Sequence, residues 1–472
     1  MDLETRLGSQ PVAGFPSVSS THAKMDAAAF TAPDAPRRSI YLPALVAAMG
    51  GLLFGFDTAV INGAIVFLKR QFSLSASQTE LAASSILVGC ALGTCVAGLL
   101  SDRFGRKRLL IVAAALFAVS SIGASVPVTL AQFVAARLVG GLAIGIASMV
   151  SPLYIAEISP SKIRGRLVAL NQLALVFGIL LAFSVNYTLA GLRADNWRWM
   201  FASAAVPSFL FLFTLLAVPE SPRWLVQKGR TDDARTVLTK FMNPLESKTE
   251  FDRIFVAVRQ ESGSVWAPGL RKPLVIAVAL AVFQQITGIN TIMYYGSLIF
   301  LEQIPKQSDA SALLANIVVG AVNLVGTIFA LAIVDRLGRR PLLLATFSGM
   351  ALSLVLLALS IHFHLAPALS LLFVLAYVAC FAIGVGPTVW IVMAEIFPTK
   401  VRGRAMSIAT TSLWLACLLS TSTFLTLVKV LSISGAFLLY AAISIAAALF
   451  VVWAVPETKQ RSLEEIEAFW RG

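Results

Sequence analysis

Asp57 is the one carboxylate that stands well inside a long apolar run, in Gly55-Phe56-Asp57-Thr58-Ala59-Val60, and Arg137 is the corresponding lone interior cation. A buried acid and a buried base are each costly unless paired. The simplest arrangement therefore brings them together from two helices. An arginine beside a carboxylate favours its charged form, whereas burial favours the neutral one. A conformational change that parts the two would let Asp57 take up a proton, and a proton gradient could then do work. The plain alternative is a static ion pair.

A second concentration of polar chemistry is Gln284-Gln285-Ile286-Thr287-Gly288-Ile289-Asn290, followed by Tyr294 and Tyr295. Helical spacing lets Gln284, Gln285, Asn290 and Tyr294 largely share a face. Amides both donate and accept, which suits sugar hydroxyls, and aromatic rings suit the apolar faces of a sugar. The competing reading is hydrogen bonding between helices, worth about 0.6–2 kcal/mol per bond. Asn171-Gln172 is a polar pair early in another apolar run, and Trp390 follows Gly384, Gly386 and Pro387, which loosen a helix and let it bend.

The charged residues repeat. Asp102-Arg103-Phe104-Gly105-Arg106-Lys107 recurs as Asp335-Arg336-Leu337-Gly338-Arg339-Arg340. The run from Ala156-Glu157 to Arg164-Gly165-Arg166 recurs from Ala394-Glu395 to Arg402-Gly403-Arg404, and Pro219-Glu220-Ser221 recurs as Pro456-Glu457-Thr458. Three motifs in one order at nearly one separation imply two homologous halves. Parallel halves suit alternating access, with the substrate held between them near the midplane. Taken singly, each basic motif marks topology alone. Together they set acids beside bases, and we expect a cytoplasmic gate of Asp102, Arg106, Glu157, Arg164, Glu220, Arg223, Asp335, Arg339, Glu395 and Arg402. Its pairs would hold while the opposite side is open and part when that side closes.

The elements that position these groups follow from composition. The chain is 58% hydrophobic and 13% charged, far from the balance of a soluble protein. Runs long enough to cross about 30 Å of hydrocarbon are expected near 40–66, 82–101, 109–126, 129–154, 167–190, 198–218, 273–301, 312–334, 341–363, 367–394, 404–428 and 433–454. The fold class is therefore all-α, with twelve transmembrane helices in two six-helix halves, 39–218 and 273–455. Residues 219–272 are polar with helical periodicity and read as a cytoplasmic linker domain of short helices. Residues 1–38 read as a disordered cytoplasmic tail, and 456–472 as a cytoplasmic C-terminal tail with a helix start at Ser462. The net charge of +13 resides in short loops, such as Arg103, Arg106, Lys107 and Arg108. That pattern places both termini in the cytoplasm of a plasma or inner membrane and argues against nucleic acid. The four cysteines fall in apolar runs and read as packed and reduced; three histidines without ligand spacing exclude a metal site. No nucleophile–base motif or nucleotide loop suggests an enzyme, and no cofactor is implied. The sequon Asn186-Tyr187-Thr188 is a weak glycosylation signal.

On these residues the chain resembles the sugar porter family of the major facilitator superfamily over nearly all of 40–470. Gly141, Gly145, Tyr154, Glu157 and Arg164 carry one family pattern; Pro219-Glu220-Ser221-Pro222-Arg223, Pro456-Glu457-Thr458-Lys459 and the run from Gln284 to Asn290 carry others. Bacterial sugar–proton symporters and the glucose facilitators of animals look most similar. The resemblance implies that Gln284, Gln285, Asn290 and Tyr294 hold the sugar, with Gln172, Asn323 and Trp390, and that Asp57 and Arg137 couple it to protons. Passive facilitators tend to have Asn at the Asp57 position. The chain departs from the pattern at Ile179, Ala382, Leu413 and Cys417, which replace polar side chains of various family members. Fewer polar contacts are then expected from the second half. The expected function is monosaccharide transport by proton symport, in a monomer within the bilayer. A passive facilitator is the alternative, and a transporter-like sugar sensor, a type with long cytoplasmic tails, is a remote one.

Overall fold

The computed structural model describes residues 40–457 and 459, apart from 161–162, 192–194, 261–268, 304–307 and 398–400. The expected tail at 1–38 and the helix start at Ser462 lie outside the described residues. The chain from Ser39 onward is one compact unit. Its described secondary structure is helical: α1 (Tyr41–Gln71), α2 (Ala76–Phe104), α3 (Arg106–Ser125), α4 (Leu130–Ile158), α5 (Arg164–Leu189), α6 (Asn196–Ala202) and α7 (Ala205–Ala217). Then come the short α8 (Pro222–Gln227), α9 (Thr231–Phe241) and α10 (Pro244–Gln260). The second series is α11 (Arg271–Ile286), α12 (Ile289–Gln303), α13 (Asp309–Leu337), α14 (Arg339–His362), α15 (Pro367–Cys380), α16 (Gly386–Glu395) and α17 (Arg402–Ala454).

Among the described residues, eleven helical stretches are long and apolar enough to cross a bilayer. The last, Gly403–Ala454, has 52 residues and would run about 78 Å against roughly 30 Å of hydrocarbon. Ser432, at φ 65° and ψ 168°, breaks the helix geometry inside it, so it supplies two crossings and the total is twelve. Leu99, Val206, Phe213, Val325 and Trp453 stand exposed, as side chains facing lipid do.

The two ends of the bundle are built differently. At the end away from the basic loops, hydroxyls cap the helix starts. Ser75 accepts from the Gln78 N–H while the Gln78 side chain accepts from the Ser75 N–H; Thr129 and Ser308 cap α4 and α13. At the basic end a single glycine turns α2 into α3 and α13 into α14. Gly105 (φ 101°, ψ 159°) and Gly338 (φ 92°, ψ 160°) occupy a region that side chains essentially exclude. A Cβ at Gly105 would also lie 2.3 Å from Glu220 Oε2, and one at Gly338 2.8 Å from Glu457 Oε2. The space left free lets each carboxylate take the first two amides of the next helix. Glu220 accepts from Arg106 and Lys107 at 2.9 and 3.0 Å, and Glu457 from Arg339 and Arg340 at 3.1 and 3.0 Å. Anionic groups are favoured at helix N-termini, so the Pro-Glu motif and the Gly turn are two parts of one device, built twice.

Helices α8, α9 and α10 share a small core of Trp224, Leu225, Ala234, Val237, Leu238, Met242, Phe251 and Ile254. Two sequence expectations need correction. Asn186 is fully buried against α1, its Nδ2 donating to the Val60 carbonyl at 3.1 Å, so the sequon is sealed in a helix contact. Cys90 and Cys417 are buried, but Cys95 is exposed and Cys380 half-buried, although all four are free. Cys95 is exposed although its Sγ lies 3.6 Å from Thr411 Oγ1 of α17, on the side of α2 that faces the second half.

Candidate functional site

Asp57 lies at the middle of α1 and Arg137 in the first half of α4. Their side chains form an ion pair: Arg137 Nη1 donates to Asp57 Oδ1, and Nη2 donates to the Asp57 carbonyl at 3.0 Å. Arg137 is fully buried, and its guanidinium also lies over the Phe201 ring at 5.3 Å. Its Nε finds no partner among the described residues. The second carboxylate oxygen faces Gly140, where an added Cβ would lie 2.9 Å away. Arg137 is thus held by the main chain of α1 as well as by the carboxylate.

The seventh crossing is broken where its amides cluster. Gly288, at φ 93°, separates α11 from α12, and a Cβ there would meet the Tyr440 ring at 2.5 Å. Gln284 Nε2 donates to the carbonyls of Val385 and Gly386 at 3.2 and 2.9 Å. Those carbonyls lie at the end of a π-helical stretch, Phe381–Val385, just before Pro387, which is the bend expected from the glycines and proline. Gln285 Nε2 donates to Gln284 Oε1 at 3.0 Å, and Asn290 Nδ2 donates to Gln285 Oε1. The three amides therefore form one relay. Gln172 on α5 is half-buried and Asn323 on α13 is buried, and neither shows a hydrogen-bond partner among the described residues. Trp390 on α16 is half-buried. Tyr294 is buried beside Thr58, the residue after Asp57, so the amide face of α12 abuts the helix that carries the acid.

Sequence reasoning missed Phe54 and Trp414. Their rings meet at 5.3 Å with a 54° tilt, joining α1 of the first half to α17 of the second. The Trp414 indole N–H is buried without a partner among the described residues. An indole N–H ordinarily finds an acceptor when buried, and that requirement was the available signal. Leu413 and Cys417 beside it are buried and apolar.

The charged residues at the basic end pair within each half, except that Arg164 reaches into the linker domain. Arg106 binds Glu157 at 2.9 Å and Asp102 at 3.1 Å; Arg339 binds Glu395 at 2.8 Å and Asp335 at 3.0 Å. Arg164 reaches Glu250 of α10 at 2.6 Å. Glu220 accepts main-chain amides rather than forming an ion pair with Arg223, which is engaged elsewhere. The side chain of Arg402 lies outside the described residues.

Apart from a 3.6 Å contact of Cys95 Sγ with Thr411 Oγ1, the side-chain bonds between the halves gather, among the described residues, at the opposite end. Asn62, fully buried in α1, donates to the carbonyls of Ile292 and Met293 at 3.0 and 2.9 Å and accepts from the Ser297 N–H and Oγ at 2.8 and 2.7 Å. Arg70 at the end of α1 holds Asp309 of α13 through two bonds, 2.6 and 2.8 Å. Glu80 of α2 accepts from Thr426 of α17. That end is thus bolted shut while the acid–base pairs of the basic end are intact. They tie α2, α3 and α4, or α13, α14 and α16, inside one half, so motion between halves need not break them.

Comparison with known proteins agrees with this geometry. A family model described as "Sugar (and other) transporter" matches residues 43–470. The chain is 39% identical to the D-xylose-proton symporter of Escherichia coli (strain K12), over 91% of this chain and 96% of that one. It is also 39% identical to the arabinose-proton symporter of Bacillus subtilis (strain 168), over 91% and 95%. A solved structure of the E. coli xylose transporter, in a partially occluded inward open conformation, superposes with a TM-score of 0.82 at 36% identity, covering 90% of this chain and 99% of that one. With its twelve crossings, its doubled Gly-turn device and these matches, the chain belongs to the sugar porter family of the major facilitator superfamily.

Proposed function

We propose that this protein carries a monosaccharide across the membrane together with a proton, by alternating access between its two halves. The observation that carries the reading is the buried Asp57–Arg137 pair between α1 and α4, with Asp57 one residue from Thr58 and its neighbour Tyr294. The amide relay Gln284–Gln285–Asn290 is the sugar face. In the free protein these amides satisfy one another. A sugar replaces those mutual bonds with its own hydroxyls, so binding exchanges hydrogen bonds at little net desolvation cost. Gln172 and Asn323 add donors and acceptors, the Trp414 indole N–H is buried without a partner among the described residues, and the Phe54–Trp414 pair offers an aromatic wall. Relatives named for D-xylose and arabinose make pentoses the first sugars to try.

The basic loops set the orientation: the end with Arg106, Arg164 and Arg339 is cytoplasmic, as are both termini, in the cell membrane. The bolted end is then external. Protonation of Asp57 weakens its hold on Arg137, and the two states of that pair bias which side opens. The gate residues at the cytoplasmic end keep each half rigid. The protein works as a monomer, since the site lies within one chain.

Uptake of labelled xylose, arabinose, glucose and galactose into proteoliposomes, with and without an inward proton gradient, tests this. Accumulation above equilibrium only with the gradient is the expected result. Equilibration to the same level in both conditions would make the protein a passive facilitator and Asp57–Arg137 a static pair.

A further inference from the structure

Glu80 is a carboxylate that sequence position alone assigns to the solvated start of a helix. It stands four residues into α2, yet it is 5% exposed. Both its oxygens are used by one residue of the other half. Oε1 accepts from the Thr426 N–H at 2.7 Å and Oε2 from the Thr426 Oγ at 2.9 Å. We propose that Glu80 is a positioning residue for transport: a bolt between α2 and the 402–431 part of α17 that closes the external side and must be released for that side to open. The proposal rests on the alternating-access reading given above.

Three features separate this contact from ordinary packing. An ionised or polar group buried without partners is costly, so the carboxylate is stable there only with Thr426 in place. Once the halves separate, it lies at the mouth of the opening and regains water. The bolt therefore has two stable settings and a penalty between them. Thr426 Nα belongs to the interior of a helix, where an amide ordinarily serves the carbonyl four residues back; its use by Glu80 ties the shape of that helix to closure. The neighbouring Arg70–Asp309 bridge, by contrast, has side chains 60% and 30% exposed. Water screens such a pair, and its contribution is small. Glu80 and Asn62 thus bear on opposite sides of the external closure, α2 on α17 and α1 on α12. A buried acceptor of two bonds makes the first of these the lock against α17.

The test is the distance between spin labels at Ser77→Cys and Val430→Cys, both exposed near the ends of the two bolted segments, in a chain with Cys95 and Cys380 replaced by serine. Pulsed electron resonance of the parent protein in lipid nanodiscs should give mainly the short distance. Glu80→Ala should raise the ratio of long to short distances about tenfold or more, since hydrogen bonds to charged groups are the strong ones. Thr426→Val keeps the amide donor and should shift the ratio less. Glu80→Gln, which keeps an acceptor for that amide, should largely restore the parent distribution. In transport, Glu80→Ala should lower KM for external sugar and lower kcat, whereas a residue needed only for folding would lower the amount of active protein at unchanged KM. An unchanged distance distribution in Glu80→Ala overturns the proposal. Should that variant not fold, an unchanged distribution in Thr426→Val, which loses the 2.9 Å bond from the Thr426 Oγ, overturns it equally. The parent protein checks the underlying reading separately: sugar plus acid must themselves move the label distance, or alternating access fails whatever Glu80 does.

Discussion

Replacing Asp57 with asparagine should separate coupling from transport. Asparagine keeps an oxygen at the Oδ1 position for Arg137 Nη1, and the 3.0 Å bond from Nη2 to the main-chain carbonyl is untouched. Geometry survives while the titrating group is lost. The cost falls on Arg137, which is fully buried and now lacks a counter-charge. Removing one partner of a buried pair costs about 3–5 kcal/mol, and the retained amide acceptor offsets part of that. A folded protein with a lowered unfolding temperature is expected. The driving force sets the readout. One pH unit is worth about 1.4 kcal/mol per proton, so one proton per sugar sustains about tenfold accumulation across a one-unit gradient. A potential of 100 mV adds about 2.3 kcal/mol, or roughly another fiftyfold. The wild-type protein in proteoliposomes should approach these limits, while Asp57→Asn should level off at equal concentrations under any gradient. Counterflow of labelled against unlabelled sugar should continue in the variant at a comparable rate. Gradient-driven accumulation by Asp57→Asn would refute the reasoning outright, because no other carboxylate among the described residues stands so deep in the bundle.

Asn290→Ala removes the last member of the amide relay and frees Gln285 Oε1; a loss of about 1 kcal/mol should raise KM in initial-rate uptake about fivefold with little change in kcat. Gln284→Ala should act more strongly and on kcat too, since Gln284 also satisfies the carbonyls of Val385 and Gly386 at the π-helical bend. Trp414→Phe keeps the ring against Phe54 and deletes an indole N–H that has no protein partner. Thermal stability in detergent should hold, while sugar affinity measured by equilibrium binding should fall about fivefold; unaltered affinity would remove Trp414 from the site. Glu457 lies outside the membrane segments. Burial pushes its carboxyl up, but the amides of Lys459, Arg339 and Arg340 and the Arg339 charge outweigh that and hold it below its ordinary value of 4.5. A carboxyl depressed by folding stabilises above its unfolded value, and that contribution is lost as pH falls through the folded one. The unfolding temperature should therefore drop on acidification below about pH 4.5, and Glu457→Gln should flatten that drop.

What the sequence revealed and what it hid follow from the range of the forces involved. The crossings were legible because about twenty consecutive apolar residues have no other stable use, and Asp57 and Arg137 were legible because a lone charge in such a run needs a partner. The repeat pointed to two halves, and the structure gives its physical content in Glu220 and Glu457 reaching through the Gly105 and Gly338 turns. The contacts between halves were not legible. Glu80 lies at the edge of an apolar run, where a glutamate normally meets water, and only the distant Thr426 makes it buried. Phe54 looks like any packed aromatic until Trp414 is set against it. The gate residues meet the same limit: acids beside bases in sequence predict pairs, but the sequence does not tell whether a pair lies inside one half or across two.

That distinction decides how this protein moves. The ion pairs of Arg106 and Arg339 have acid and base in the same half, and Arg106 is almost fully buried. Breaking them would strand a buried charge, at a cost of several kcal/mol. The bonds of Asn62, Arg70 and Glu80 cross between halves and lie at one end. Their groups regain water when that end opens, so releasing them costs only the net worth of each hydrogen bond, about 1–3 kcal/mol. On the proposed mechanism, a sugar exchanging bonds with the relay, together with the free energy of one proton, is of the size needed to tip such a balance. It is too small to pull apart either half. The strongest charge pairs are therefore placed where nothing has to move, and the weaker, rehydrating ones where the two halves must part.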